Sequence, residues 1–305
     1  MKSKNILEKR SAAYLCAVIC VALWGTAFPL IKLGYLRLGI ESVGSRLLFA
    51  GERFMLAGIF VFLFGLIIYR RPLALKRRDA LPVSLLGLVQ TFGQYLFAYI
   101  GVGLTTATNT SILTGTVSII SVVLAAVFFR FDRLTPLKIL GCAAGLFGIA
   151  AVNMGSFSFG ATFLGDALVL CSALCGAFGN IITKKISVGR DPATVTAWQL
   201  CIGGAVLLAV GLLSGGTTDF SRSGGIVILV WLSLVSSVSF LLWTALLRYH
   251  PVSRIAVFTT LVPIFGTIWS GILLGEEIFR LNNLISLLFI AAGIILVNIK
   301  TKAME

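Results

Sequence analysis

Charge is what this chain has least of. Ionisable side chains make up 12% of its 305 residues, against about 25% in an ordinary soluble domain. Acids are the scarcer sign, 11 Asp and Glu against 25 Lys and Arg. With 58% hydrophobic residues, a water-soluble core of this size has no use for so much apolar surface, and the composition points to a membrane protein. Histidine occurs once, as His250, in a loop beside Pro251 with no Cys, Asp or Glu near it. There is no HExxH, no phosphate-binding glycine loop and no nucleophile–base set, so neither a metal, a cofactor nor enzymatic catalysis is expected. The six cysteines, Cys16, Cys20, Cys142, Cys171, Cys175 and Cys201, lie inside apolar runs and form no CxxC. Cys16/Cys20 and Cys171/Cys175 each share a helical face, a spacing a soft metal can use, but all six read first as small packing residues. The net charge of +14 would suit nucleic acid; here the basic residues sit at the ends of apolar runs, which is the pattern of membrane topology, and no nucleic-acid partner is expected.

What the chain has in quantity is uncharged length. A helix rises about 1.5 Å per residue and the hydrocarbon core is about 30 Å thick. Ten spans are expected, near 12–33, 45–69, 80–102, 105–129, 136–153, 164–183, 192–214, 224–247, 252–275 and 279–299. The run 11–31 is uncharged for 21 residues, too long for a signal-peptide core, and reads as the first span. The run 80–129 has 50 residues without a charge and must hold two spans, with Gly101, Gly103 and Thr105-Thr106 marking the bend. Backbone polar groups in lipid have to be satisfied within a segment, so the spans are helices and the fold class is an all-α membrane protein of ten transmembrane helices. With the N-terminus inside, nineteen of the 25 basic residues fall on inner segments. Lys32, Arg37, Arg46, Arg222 and Arg280 fall outside, and Arg53 lies within a span. This bias places both termini in the cytoplasm of a multi-pass cell-membrane protein, the inner membrane if the source is Gram-negative.

The chain repeats itself. Gly148-Ile149-Ala150-Ala151-Val152-Asn153 ends the fifth expected span, and Gly293-Ile294-Ile295-Leu296-Val297-Asn298 ends the tenth. At the same offset Ser118 falls opposite Pro263. Residues 1–154 and 155–305 thus form two units of five spans each. An odd number of spans makes the second unit enter the membrane from the opposite face: a five-plus-five inverted repeat, an architecture common among secondary transporters.

Polar groups at mid-membrane are costly and need a reason. Gln90 and Gln94 lie one helical turn apart in the third span and share a face, with Thr91 and Tyr95 beside them. The repeat sets Ser236 and Ser237 of the eighth span opposite Gln90 and Thr91, with Ser239 and Trp243 following. These residues read either as the wall of a central binding cavity or as interhelical hydrogen bonds that glue the bundle. Trp24, Thr26, Phe28 and Pro29 fall at or beyond the middle of the first span, and Asn180 aligns near Pro29. Trp198 and Gln199 of the seventh span align with Glu52 and Arg53 of the second; all four either face the cavity or pack. Pro29 and Pro263 serve as gating bends or as structural kinks. Glu52-Arg53 is the one adjacent acid–base pair inside a span, with Lys32 and Arg46 in reach; it reads as a structural ion pair or as the site of proton coupling. Gly141 and Gly145 permit close helix approach, to the tenth span or to a second copy in a homodimer.

Trp24-Gly25-Thr26-Ala27-Phe28 with Lys32, Arg53-Phe54-Met55-Leu56-Ala57-Gly58, and the stretch from Leu261 through Pro263 to Leu274-Gly275-Glu276 resemble the first, second and ninth spans of the EamA-like branch of the drug/metabolite transporter superfamily. The resemblance covers nearly the whole chain. It implies a ten-helix exporter of small metabolites, amino acids foremost, with nucleosides, sugars and drugs as alternative cargoes. The partners implied are a small-molecule substrate and the lipid bilayer. A non-transporting sensor or assembly subunit is the alternative from another class, and would bind without flux. The chain departs from the family pattern in the fourth span, where Ser118 stands for proline and Arg130-Phe131-Asp132 for the terminal Gly-Glu. From this departure the ninth span is expected to bend more than the fourth, which the two helices' axes measure directly.

Overall fold

A computed structural model describes residues 6–70, 72–127, 135–152, 161–221, 224–277 and 281–298. The expectation at Arg130-Phe131-Asp132 lies outside the described residues. A 3-10 turn (Ile6–Glu8) leads into α1 (Arg10–Leu38), α2 (Val43–Tyr69), α3 (Arg77–Leu104), α4 (Ala107–Thr114), α5 (Val117–Val127), α6 (Pro136–Val152), α7 (Ala161–Ser187), α8 (Pro192–Leu213) and α9 (Gly225–Tyr249). Then come α10 (Val252–Ala256), a 3-10 turn (Val257–Leu261), α11 (Val262–Leu274) and α12 (Leu281–Asn298). The 6 helices α1, α2, α3, α7, α8 and α9 are long and apolar enough to cross a membrane; α11 and α12 contain shorter apolar segments.

The polarity of the bundle is that of a protein dissolved in lipid. Ile67, Ile272 and Leu288 are 72%, 66% and 69% exposed on its outside, while Arg53, Gln90, Gln199 and Ser236 are buried. Local chemistry sets the helix ends. Gly39 takes the left-handed φ of 64° and closes α1 by donating its N–H to the Tyr35 carbonyl. Ser42, Thr106 and Asp191 cap α2, α4 and α8 by accepting from the backbone N–H three residues on, and Pro192 fills the first turn of α8, where a missing N–H costs nothing.

The most extensive helix pair is α2 with α8. Gly51 and Gly58 on one helix and Gly204 and Gly211 on the other, each pair a heptad apart, let the two backbones touch: a Cβ on Gly58 would lie 3.0 Å from the Cys201 nitrogen, and one on Gly204 2.7 Å from the Met55 nitrogen. Likewise, a Cβ on Gly293 of α12 would meet the Gly141 carbonyl oxygen at 2.5 Å and the Gly145 nitrogen at 2.9 Å, so the Gly141/Gly145 face is covered within the chain. Around these pairs α1 packs on α9 and α11, α3 on α7, and α4 on α11.

Both copies of the repeated stretch are interrupted. Between α4 and α5 the helix breaks at Gly115-Thr116 without any proline, and ahead of α11 it tightens into the 3-10 turn. The two interruptions meet: a Cβ on Gly115 would lie 2.8 Å from Pro263 Cγ. Pro263 occupies the first turn of α11, where it starts a helix rather than kinking one. Pro29 is buried inside α1, which runs through it as one helix. Proline is therefore not what sets the breaks. Gly204→Ala should force α2 and α8 apart and cost about 1–3 kcal/mol, the usual range for overpacking; a lower melting temperature of the detergent-solubilised protein is the expected result.

Candidate functional site

The middle of α3 is wound as a π-helix over Gly87–Gly93, a form that recurs at functional sites because it re-aims side chains. It turns Gln90 onto α7, where the Gln90 Oε1 accepts from Thr183 Oγ1 at 2.9 Å. Two small residues of α7 seat the amides: a Cβ on Gly179 would meet Gln90 Cγ at 2.6 Å, and one on Gly176 would meet Gln94 Cδ at 3.1 Å. Beside them lies a cavity whose walls come from α1, α2, α3, α7, α9 and the residues flanking both helix interruptions. Its aromatic wall is Trp24, Phe28, Tyr95, Phe240 and Trp243. The Trp24 ring stands 4.9 Å from that of Trp243 and 5.7 Å from that of Phe240, edge to face in both cases. The Trp243 indole is held by donation to Asn180 Oδ1 at 2.9 Å. Gln90, Gln94 and Asn180 supply amides, and Thr114, Ser172 and Thr259 line the remainder.

Among the described residues, one charged side chain lines the cavity, that of Arg53. It is 1% exposed. Its Nε donates to the Leu232 carbonyl at 3.2 Å and to Ser236 Oγ at 3.0 Å, and Nη1 donates to the Tyr99 hydroxyl at 3.0 Å. The guanidinium lies 4.9 Å from the Phe54 ring centroid and 5.8 Å from that of Tyr95. Glu52 turns the other way, accepting from Thr218 Oγ1 at 2.6 Å. Among the described residues no carboxylate lies within 4.0 Å of Arg53. The expected Glu52–Arg53 ion pair is thus corrected: consecutive helical residues point about 100° apart and do not face each other.

Of the residues predicted for the site, Trp24, Arg53, Gln90, Gln94, Tyr95 and Trp243 meet at the cavity. The others lie off it. Thr26 donates to the Leu23 carbonyl at 2.7 Å within its own helix. Trp198 donates its indole N–H to the Leu73 carbonyl at 2.8 Å and packs edge-on against Phe62. Gln199 is fully buried in the α8 interface, and neither of its side-chain polar atoms has a partner. Ser236 orients Arg53, and Ser239 reaches the Cys20 carbonyl at 3.5 Å, joining α9 to α1. Lys32 donates to the Thr105 carbonyl. The α8 residues miss the cavity because the glycine seam fixes which face of α8 turns inward. Phe240 carries no polar signal in sequence and was not foreseen. His250 is more than a loop residue: it is buried, with Nε2 2.8 Å from the Leu7 carbonyl.

Both ends of the bundle are tied. At one, Glu276 accepts from the backbone N–H groups of Ala107 and Thr108 at 3.1 and 2.9 Å and from Thr108 Oγ1 at 2.7 Å, capping α4 from the end of α11. Asp166 accepts from Thr105 Oγ1 at 2.6 Å beside it. At the other end, Lys184 donates to the His250 carbonyl at 3.0 Å, and Arg190 pairs with Asp79 at 2.8 Å.

The chain matches the sequence pattern of the EamA-like transporter family twice, over residues 11–154 and 163–299. It is 27% identical to an uncharacterized transporter, YvbV, of Bacillus subtilis (strain 168), over 98% of this chain and 95% of that protein. It is also 27% identical to a protein of Salmonella typhimurium named a probable amino-acid metabolite efflux pump, over 86% of this chain and 87% of that one. A solved crystal structure superposes with a TM-score of 0.74 at 16% identity, covering 97% of this chain and 100% of its own, and so shares the fold.

Asn180→Leu takes its acceptor from the buried Trp243 N–H, which typically costs about 1–3 kcal/mol. The melting temperature should fall. The same replacement made on top of Trp243→Phe should cost clearly less, and a double-mutant cycle reads the coupling.

Proposed function

This chain belongs to the EamA-like transporter family, and from that premise we propose a secondary transporter that moves amino acids or similar small amphipathic metabolites outward by alternating access. The transport unit has ten spans: the six long helices, then α4 with α5, α6, α10 with α11, and α12. Residues 1–154 and 155–305 form its two units, inverted with respect to each other, with both termini in the cytoplasm. The order of neighbours supports this reading, since α1 packs on α9 and α3 on α7: in each case the first span of one unit meets the third span of the other, as a two-fold axis in the membrane plane requires.

The observation that carries the proposal is the cavity, because helices of both units wall it. A site held between two rocking units can open to either side in turn. Trp24, Tyr95, Phe240 and Trp243 take the apolar part of the cargo; Gln90 and Gln94 take its polar part without adding charge. The name of the Salmonella typhimurium relative supports amino-acid metabolites as cargo and export as direction.

Purified protein in liposomes is expected to exchange labelled L-leucine or L-phenylalanine across the bilayer with saturable kinetics. Absence of flux over a panel of amino acids, nucleosides and sugars would sink the proposal. Gln94→Ala, which removes an amide from the cavity wall, should slow exchange about three- to tenfold, the weight of one hydrogen bond, with expression and melting temperature unchanged.

A further inference from the structure

We propose that Arg53 is a carboxylate subsite within the cavity, so that the cargo is a monoanionic carboxylic acid or an α-amino acid bound by its carboxylate. This rests on the transporter reading above and names the chemistry of its substrate. A guanidinium stays protonated in a protein and carries five N–H donors in a planar fork. Nε is taken up by Leu232 O and Ser236 Oγ, and one Nη1 hydrogen by Tyr99. One Nη1 hydrogen and both Nη2 hydrogens are left, with no acceptor among the described residues, on a side chain that lines the cavity.

A buried cation held only by neutral acceptors is expensive, and one that keeps a carboxylate nearby would have no call for a ligand. Here the acid next in sequence is turned to Thr218, and the fork is left facing the space where cargo would sit. Fork geometry matches a carboxylate in two parallel hydrogen bonds. A single cation in the wall balances a single negative charge and leaves a phosphate ester's second charge unpaired. The ammonium of an α-amino acid finds aromatic faces and amide carbonyls across the cavity. Ser236 and Tyr99 are positioning residues: they hold the guanidinium in orientation and do not themselves face the cargo.

The test compares matched ligands on the intact protein. L-Leucine, L-phenylalanine and L-threonine are each paired with their amides, and 3-phenylpropionate supplies a carboxylate without an amine. Binding is read in detergent from ligand-induced shifts of the melting temperature, and exchange is read in proteoliposomes. At least one acid is expected to bind about tenfold or more tightly than its amide, the weight of one charge-assisted pair. Arg53→Gln should bring that ratio close to one, and Arg53→Lys should leave an acid preference with weaker binding, since a point charge replaces the fork. Should Arg53→Gln fail to fold, the acid-to-amide ratio of the unmodified protein and of Arg53→Lys decides the matter. Amides that bind as well as acids, or an acid preference that survives in Arg53→Gln, overturn the subsite while leaving transport intact. Flux of nucleosides or sugars with no binding of any acid does the same. Acid-selective binding without flux of any solute keeps the subsite and overturns the transporter reading, and neither binding nor flux overturns both.

Discussion

A guanidinium is buried in the middle of the bundle, 1% exposed, and the surrounding helices are arranged about that fact. Arg53 on α2 draws its acceptors from α9, through Leu232 and Ser236, and from α3, through Tyr99. Tyr35 on α1 donates to the Tyr99 carbonyl at 2.8 Å, so a fourth helix joins the same knot. Ser233 adds a return bond from α9 to the Arg53 carbonyl at 3.1 Å. In lipid, where two apolar helix faces gain little by meeting, such bonds and tight glycine seams decide which helices are neighbours. The knot determines where α1, α3 and α9 stand around α2, and with it the aromatic wall that those helices present to the cavity.

Of the ten spans expected, six appear as helices long and apolar enough to cross a membrane; they were legible because the signal for them is composition alone: a long run without charge has one stable outcome in a membrane. The faces of the spans were not, because a hydrophobic helix shows no polar stripe, and its inward side depends on a partner the sequence does not name. Gln90 and Gln94 were found since two amides on one face of a span have few uses. For Trp198 and Gln199 the packing alternative is the one the structure shows, and alignment to the second span could not decide it because it says nothing of the rotation that the glycine seam imposes on α8. Glu52 and Arg53 looked like a pair only because they are adjacent; on a helix adjacency is what keeps two side chains apart. The π-helical stretch that aims Gln90 left no mark in the residue pattern.

The resemblance of the ninth span to the family pattern drew attention to Glu276 as a motif, and the geometry gives that residue a physical task. Its carboxylate occupies the positive end of α4 and takes two backbone N–H groups that would otherwise lack partners. The contact joins the end of α11, in the second family match, to the start of α4, in the first. On the alternating-access reading, such a contact has to form and break as the units rock. A charge-assisted cap is suited to that, because water can replace it on both partners once the end of the bundle opens.

The two helix interruptions complete the picture from the inside. A break in a membrane helix frees carbonyls that lipid cannot satisfy, so it survives only where a side chain takes them up. Thr116 Oγ1 donates to the Leu113 carbonyl at 2.7 Å at the first break, and Thr259 Oγ1 donates to the Ala256 carbonyl at 2.7 Å at the second. The same device, a threonine hydroxyl reaching back three residues, thus serves both units although only one of them has a proline. Thr114 and Val117 flank the first break, Thr259 and Val262 the second, and all four line the cavity. The wall is therefore weakest in helical continuity where cargo would sit, and its freed carbonyls are satisfied locally rather than by the neighbouring unit. Among the described residues no main-chain hydrogen bond at either break joins one repeat to the other, so a change in the angle between the repeats there need break none. That is what a site needs if it is to stay intact while the helices around it tilt.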